Sequence, residues 1–100
     1  MYTLFDMKRP IRIGIVADCD PTNKYHVATE QSVRHAAEAL GIATEPRWMD
    51  TDTLDNTAAE AHLAECDAIW CGTSSPYRSM EGALRAIRFA REQGMPFVGT

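Results

Sequence analysis

The chain has 100 residues, of which 45% are hydrophobic and 24% are charged, and its formal net charge at pH 7 is −4. This composition is typical of a single small globular domain, residues 1–100, and excludes a disordered or fibrous chain. The acidic balance disfavours nucleic acid and anionic membranes as partners, because both are bound through basic surfaces.

The cysteines and the N-terminus indicate the cellular compartment. Cys19, Cys66 and Cys71 are odd in number and lack CxxC spacing, which is typical of free thiols in a reducing environment. The first ten residues contain charged side chains and neither a signal-type apolar core nor a membrane-spanning stretch. We therefore predict a cytoplasmic protein that needs no metal or other cofactor.

The first half of the chain predicts a strand, a helix and a second strand. Residues 11–17, with the sequence IRIGIVA, form a β-branched run that ends in the turn-rich loop DCDPTN. Residues 24–40 have a helical apolar period, and Gly41 supplies the helix stop. Residues 42–49 predict a weaker strand, and Pro46 within it indicates a position at the sheet edge. The apolar face of the predicted helix comprises Val33, Ala36, Ala37 and Leu40.

The second half continues the alternation. Residues 58–64 predict a short helix, and residues 67–72, DAIWCG, predict the third strand. After the loop 72–79 comes a strongly amphipathic helix, with Ser79 as its N-cap and a glycine as its stop. Residues 96–100 predict a fourth, buried strand. The apolar stripe of the last helix comprises Met80, Ala83, Leu84, Ile87 and Ala90.

Strands that alternate with helices imply right-handed crossovers and a parallel sheet, so the predicted fold class is α/β. We expect a flavodoxin-like sheet, flanked by helices, with the strand order 2-1-3-4. In such a sheet a ligand binds beyond the carboxyl ends of the strands where the winding reverses, here between strands one and three. The loops that leave these two strands, residues 18–23 and 72–79, therefore form the candidate site.

The end of the sequence, YRSMEGALRAIRFAREQGMPFVGT, residues 77–100, resembles a known family. It is similar to the glutaminase domain of CTP synthases, which are class I glutamine amidotransferases. In that domain a PGGFG loop precedes an Arg-Gly-x-Glu-Gly turn, a helix with R-x-A-R, and an apolar strand that enters a G-x-C-x-G elbow. IGIVADCD and KYHVATEQSVRHA, between residues 13 and 36, are similar to the family's opening strand and first helix. The resemblance implies glutamine or a related small amide as the substrate, and a role in pyrimidine biosynthesis.

The resemblance also implies roles for single residues. The nucleophilic cysteine would follow Thr100, and the family's catalytic His and Glu lie further downstream. We therefore expect no catalytic residue in this chain, no activity of the chain alone, and a fragment that is the incomplete N-terminal half of a larger domain. Because strand four would leave an open apolar edge, association with the missing C-terminal half or with a second copy is expected. The implied site residues are, for the oxyanion and substrate loop, Gly72, Thr73, Ser74, Ser75 and Arg78, and, for the approach to the elbow, Gly99 and Thr100.

The loop departs from the family pattern at the positions that donate hydrogen bonds. Thr73 and Ser74 occupy the places of the paired glycines, where a side chain restricts the conformations with positive φ that glycine permits. Pro76 has no N–H group and removes one donor. The sequence therefore leaves open both a glutaminase and a divergent relative with another amide or ester substrate.

A non-catalytic α/β module that binds a small anion or a nucleotide is the alternative function. In that case the helix that begins after Ser79 would direct its free N–H groups toward the crevice. Cys71 would be a nucleophile only if a base lowered its pKa, and a small buried hydrophobic residue is the simpler interpretation. The acidic DCD, residues 18–20, fits turn and capping roles better than a metal site.

Overall fold

The computed structural model describes residues 9–72 and 76–100. Within these residues, four parallel strands form one sheet in the order β2-β1-β3-β4. This order confirms the predicted 2-1-3-4 arrangement and is consistent with a flavodoxin-like fold. The proline-containing strand lies at one edge, as its sequence predicts. The strands are β1, Ile11–Val16, β2, Thr44–Met49, β3, Ala68–Cys71, and β4, Phe97–Gly99.

The helices begin and end at residues with clear capping signals. The Asn23 side chain accepts hydrogen bonds from the N–H groups of Tyr25 and His26 at the start of the first helix, and Gly41 ends this helix with φ 66°. A 3₁₀ turn, Thr51–Thr53, follows β2. The α-helices are α1, Lys24–Leu40, α2, Ala59–Ala64, and α3, Met80–Glu92. No helix in the described ranges is long and apolar enough to cross a membrane.

The buried face of α1 differs in part from the predicted stripe. Val33 and Ala37 are buried as expected, but Ala36 is exposed and Leu40 is 70% exposed. Ala36 lies on the flank of the helix, and Leu40 lies in the last turn beside exposed residues 41–43, where no described element covers it. The buried face instead extends toward the N-terminus, and it comprises His26, Thr29, Val33 and Ala37.

The stripe of α3 requires a similar correction. Ala83 and Ala90 are buried, and so is Ala86, which the sequence prediction did not include. The large members of the predicted stripe are exposed, because α3 packs on β3, β4, α2 and the 3₁₀ turn through the face that carries the alanines. Their exposures are 54% for Met80, 45% for Leu84 and 37% for Ile87.

The prediction that the fourth strand is buried is wrong. Phe97 is 41% exposed and Val98 is 51% exposed. In the described part of the chain β4 pairs with β3 alone, so its outer edge is open, which agrees with the expected apolar edge. The oligomeric state stays a prediction.

One core lies between the sheet and the helices α2 and α3. It is built from β-branched, leucine and alanine side chains, and Met49, Tyr77, Phe89 and Met95 pack against it. A Cβ placed on Gly14 of β1 would lie 2.8 Å from the Cys66 Sγ atom, so this strand approaches the core through its backbone. The buried members are Val16, Leu54, Ala59, Leu63, Cys66, Ile69, Cys71, Ala86 and Ala90.

Asp67 joins the N-terminal ends of β1 and β3, at the opposite end of the sheet from the candidate site. Its carboxylate accepts two hydrogen bonds from the Arg9 side chain, at 2.9 and 3.2 Å, and one from the Arg12 N–H group at 2.7 Å. Burial alone would raise the pKa of Asp67, but the contacts with Arg9 and Arg12 outweigh it and hold the pKa below its ordinary value of 3.8.

Acid should therefore destabilise the protein through Asp67, together with Asp18 and Asp20, whose pKa values are also lowered. These carboxylates bind fewer protons folded than unfolded, so their stabilisation is present above pH 3.8 and is lost as the pH falls toward the folded-state pKa. Urea unfolding at a series of pH values from about 7 to about 2 measures the effect.

The Asp67→Asn variant should lose about 1 kcal/mol of stability at pH 7 and should show a flatter acid dependence. Glu38→Gln, which changes an exposed carboxylate on α1, serves as the control and should follow the wild type. An Asp67→Asn variant with the wild-type acid dependence would contradict the assignment to this contact.

Candidate functional site

Gly72 lies at the crevice between β1 and β3 that the strand order predicts. Its N–H group donates to the Val16 carbonyl oxygen at 3.0 Å, directly past the paired ends of the two strands. A Cβ placed on Gly72 would lie 3.3 Å from the Ala17 Cβ atom. The chain therefore leaves β3 in close contact with the end of β1, and glycine suits this approach because it has no side chain.

The end of β4 lies beside the start of the same loop. The Thr100 N–H group donates to the Cys71 carbonyl oxygen at 3.0 Å, and Gly99 pairs with Cys71 in the sheet. The Trp70 indole N–H group donates to the Thr100 Oγ1 atom at 3.1 Å. The structure thus brings Gly72, Gly99 and Thr100 together at the carboxyl edge of the sheet.

Thr73, Ser74 and Ser75, the middle of the implied oxyanion loop, lie outside the described residues. The loop is described again from Pro76, which is exposed. The Tyr77 hydroxyl donates to the Gly72 carbonyl oxygen at 2.6 Å, so the two ends of the segment are joined. This hydrogen bond closes the base of the loop.

Tyr77 carries out this role as a neutral phenol. Burial, and then the hydrogen bond with Cys71, raise its pKa to about 12. Its hydroxyl lies 3.5 Å from the Cys71 Sγ atom, and Cys71 is buried in the core. No pattern in the sequence singles out Tyr77, because a tyrosine in a polar loop is usually exposed.

Arg78 is held by its backbone rather than by its side chain. Its N–H group donates to the Asp18 Oδ2 atom at 2.7 Å. Its guanidinium is 60% exposed, and its Nη1 atom lies 3.8 Å from Asp50 and 4.0 Å from Asp52. The Arg78 side chain is therefore directed toward the end of β2, away from the contact between Gly72 and Thr100.

Asp18 and Thr51 connect the loops that follow β1, β2 and β3. The Asp18 carboxylate accepts from the Thr51 N–H group at 2.8 Å and from the Thr51 hydroxyl at 2.9 Å. The Thr51 Oγ1 atom in turn accepts from the Ser79 N–H group at 2.9 Å. Burial would raise the pKa of Asp18, but the hydrogen bonds from Arg78 and Thr51 outweigh it and lower the pKa.

These contacts bear on the predicted anion site at the start of α3. The N–H groups of Arg78 and Ser79 donate to Asp18 and Thr51, and the Gly82 N–H group donates to the Ser79 Oγ atom at 3.0 Å, so the N-cap prediction is confirmed. Turn and capping roles were expected for residues 18–20, and Asp18 accepts from the N–H groups of Thr51 and Arg78, which lie far along the chain. Asp20 does serve its own turn, since it accepts from the Thr22 N–H group.

Cys19 and Cys66 are not activated as nucleophiles. Burial raises the pKa of Cys66, and the partial burial of the Cys19 thiol, followed by the charges of Asp50 and Glu30, raises the pKa of Cys19. Cys71 is buried, as the simpler interpretation expects. In residues 9–72 and 76–100 no group of three His, Cys, Asp or Glu side chains could hold a metal ion.

His26 is a buried polar residue that the sequence prediction did not single out. It is 3% exposed, and its ring centroid lies 5.2 Å from that of Trp48. Its Nδ1 atom accepts from the Asp20 N–H group at 3.0 Å, which ties the loop after β1 to the start of α1. Its position on the inner face of α1 follows from the orientation of the helix, which the sequence specifies only loosely.

Comparison with known proteins finds similarity to CTP synthases. The CTP synthase of Cyanothece sp. is 31% identical over 96 residues, 96% of this chain and 18% of that protein. The CTP synthase of Microcystis aeruginosa is 33% identical over 89 residues, 89% of this chain and 16% of that protein, and that of Staphylococcus epidermidis is 28% identical over 99 residues. No family model matches the chain. The chain thus spans 16–18% of the length of these relatives.

Proposed function

We propose that this chain forms the N-terminal part of a glutaminase-type domain related to that of CTP synthase. In this proposal the loop after β3 is a divergent oxyanion loop, and β4 leads to the nucleophile elbow. The catalytic cysteine, histidine and glutamate would be supplied by a segment outside these residues. The substrate would be glutamine or a related small amide, and the compartment the cytoplasm.

The contact between the end of β4 and the start of the loop after β3 carries this proposal. An acyl-transfer site needs a nucleophile and, next to it, backbone N–H groups that stabilise the oxyanion of the tetrahedral intermediate. Thr100 donates to the Cys71 carbonyl oxygen at 3.0 Å, and Gly72 is the next residue along the loop. A nucleophile immediately after Thr100 would therefore lie near Gly72, where this loop begins.

The alternative, a module that binds a small anion, has less support from the same geometry. An anion at the start of α3 would need free N–H donors there. The N–H groups of Arg78 and Ser79 already donate to Asp18 and Thr51. The nearby carboxylates of Asp50 and Asp52 would also repel an anion.

A chimeric enzyme tests the proposal. The matching segment of the Cyanothece CTP synthase is replaced by this chain, and CTP formation is measured with glutamine or with ammonium as the nitrogen source. We expect normal ammonium-dependent activity and a glutamine-dependent activity that is about 10²–10³-fold lower, the loss typical of one oxyanion donor. The double substitution Thr73→Gly and Ser74→Gly should raise the glutamine-dependent activity of the chimera at least about tenfold, because glycine permits the backbone N–H donors to approach the oxyanion.

The matched control is the pair Thr57→Gly and Ala58→Gly, two exposed residues in the loop before α2, which should leave both activities unchanged. The unmodified chain alone should release no ammonia from glutamine. The proposed role of the loop would be contradicted by a chimera that makes CTP from ammonium but still cannot use glutamine after the glycine substitutions.

A further inference from the structure

The start of α3 is held by a carboxylate of the protein itself. Asp18 follows β1 by two positions, and its Oδ2 atom accepts from the Arg78 N–H group at 2.7 Å. Helix N-termini at the carboxyl edge of a parallel sheet commonly bind an external anion, because their N–H groups and the helix dipole favour negative charge. Here the negative charge at this edge belongs to the chain.

Thr51 extends the contact from Asp18 to the helix. It is fully buried, and its hydroxyl lies 2.9 and 3.0 Å from the two Asp18 carboxylate oxygens. The same Oγ1 atom accepts from the Ser79 N–H group. One carboxylate and one hydroxyl therefore bind two consecutive N–H groups, those of Arg78 and Ser79.

Gly82 brings the first turn of α3 against the same residue. A Cβ placed on Gly82 would overlap the Thr51 carbonyl oxygen, so the helix backbone rests directly on the 3₁₀ turn. This packing fixes the distance between α3 and the end of β2, while the hydrogen bonds to Asp18 and Thr51 fix the segment that enters the helix.

We propose that Asp18 is a positioning residue that, as a carboxylate, holds Arg78, Ser79 and the start of α3 against the ends of β1 and β2. It thereby fixes the far end of the loop whose near end is Gly72. The contact does not depend on any ligand, so it holds Arg78 and Ser79 in place before substrate binds. The importance of Asp18 for catalysis rests on the proposed function. The hydrogen bonds of Asp18 are independent of that function.

The surroundings of Asp18 determine how it responds to pH. The Arg78 guanidinium is the positive group nearby, and it favours the charged form of Asp18. The Tyr77 phenol faces Asp18 from the loop after β3 and stays neutral at physiological pH. The other charged side chains on the loops around Asp18 are Asp20, on its own loop, and Asp50 and Asp52, beside Thr51.

Amide hydrogen exchange followed by NMR tests the proposal on the full chain at neutral pH. Asp18→Asn keeps the shape of the side chain and one acceptor oxygen, but its amide nitrogen cannot accept from the Arg78 N–H group. We expect exchange at Arg78 and Ser79 to become about tenfold to a hundredfold faster, the loss typical of a hydrogen bond to a charged group. The N–H groups of Ile15 and Val16 in β1 should be accelerated less than those of Arg78 and Ser79, because they report only the global loss of stability.

Asp67→Asn is the matched control, because it removes a carboxylate with similar contacts at the other end of the sheet, and it should not accelerate exchange at Arg78 and Ser79 more than at Ile15 and Val16. Thr51→Val removes the bridging hydroxyl and should speed exchange at Ser79. In the wild type, the Arg78 N–H group should exchange more slowly than in an unstructured peptide, a measurement that needs no variant.

Three results would overturn the proposal. They are an unprotected Arg78 N–H group in the wild type, wild-type exchange at Arg78 in Asp18→Asn, and equal acceleration at all N–H groups, which would indicate a merely global loss of stability. None of these readouts involves glutamine. If the proposed glutaminase function fails, the role of Asp18 in holding Arg78 and Ser79 is unaffected, and if the role of Asp18 fails, the proposed function is unaffected.

Discussion

Replacing Gly82 by alanine is expected to destabilise the protein by about 2 kcal/mol or more, although alanine is the better helix former. The change gains up to about 1 kcal/mol of helix propensity. Against this, the new Cβ would overlap the Thr51 carbonyl oxygen. Overpacking against backbone, which cannot rotate away as a side chain can, costs about 3 kcal/mol. Urea unfolding of the wild type and the variant measures the difference.

Two other substitutions separate the causes. Glu81→Ala, in the same turn but exposed, should cost only about 0.5 kcal/mol, through the loss of a favourable charge near the helix N-terminus. Gly41→Ala meets no atom within 4 Å but has φ 66°, so it should cost about 1 kcal/mol through backbone strain alone. If Gly82→Ala were as stable as the wild type, the 3₁₀ turn would be free to move away from α3. The hydrogen bonds by which Asp18 and Thr51 position the start of α3 would then be weak.

Local signals in the sequence predicted the fold well. The alternation of strand and helix patterns predicted the order β2-β1-β3-β4, and single residues marked the boundaries of the helices. Gly41 ends α1, and Ser79 caps α3, because each bonds to backbone groups within a few residues of itself: the Gly41 N–H group donates to carbonyl oxygens, and the Ser79 hydroxyl accepts from an N–H group. Pro46 predicted an edge strand for the same reason, since the effect of a proline on pairing is local.

The contacts of the site could not be predicted in this way. Asp18 is 33 residues from Thr51 and 60 residues from Arg78, and only the parallel sheet brings their loops to one edge. An aspartate after a strand is compatible with a turn, a cap or a long-range contact, and the sequence does not distinguish among them. The sequence RSMEG, residues 78–82, matches the first and the last two positions of the Arg-Gly-x-Glu-Gly turn, and Gly82 is its final glycine. The contact with Thr51 that favours a glycine there is seen only in the structure.

The burial of α3 shows a second limit of sequence patterns. A helical period identifies a set of apolar residues, but which of them are covered depends on what lies on each side of the helix. Leu84 and Ile87 have the pattern of core residues and are exposed, whereas Ala86, which is smaller, is fully buried. Phe97 and Val98 are exposed in the same way, because β4 lies at the edge of the sheet.

A pair of glutamate substitutions on α3 should have very different effects. Ala86→Glu places a carboxylate where the side chain is 0% exposed, in the core cluster that includes Leu63 and Ile69. An unpaired buried charge costs about 4 kcal/mol or more, enough to unfold a domain of marginal stability. Leu84→Glu, at a residue that is 45% exposed, should cost less than about 1 kcal/mol. Circular dichroism during urea unfolding compares the two variants directly.

The Leu84 variant also tests whether the outer side of α3 and β4 is open in solution. The apolar side chains there, including Ile87 and Phe97, form the kind of surface through which chains associate. If Leu84→Glu proved as damaging as Ala86→Glu, Leu84 would be buried in solution by a second copy, and sedimentation of the wild type should then show a dimer. If the variant is stable and the wild type sediments as a monomer, the open edge is tolerated, because two exposed apolar residues on a three-residue strand expose little surface.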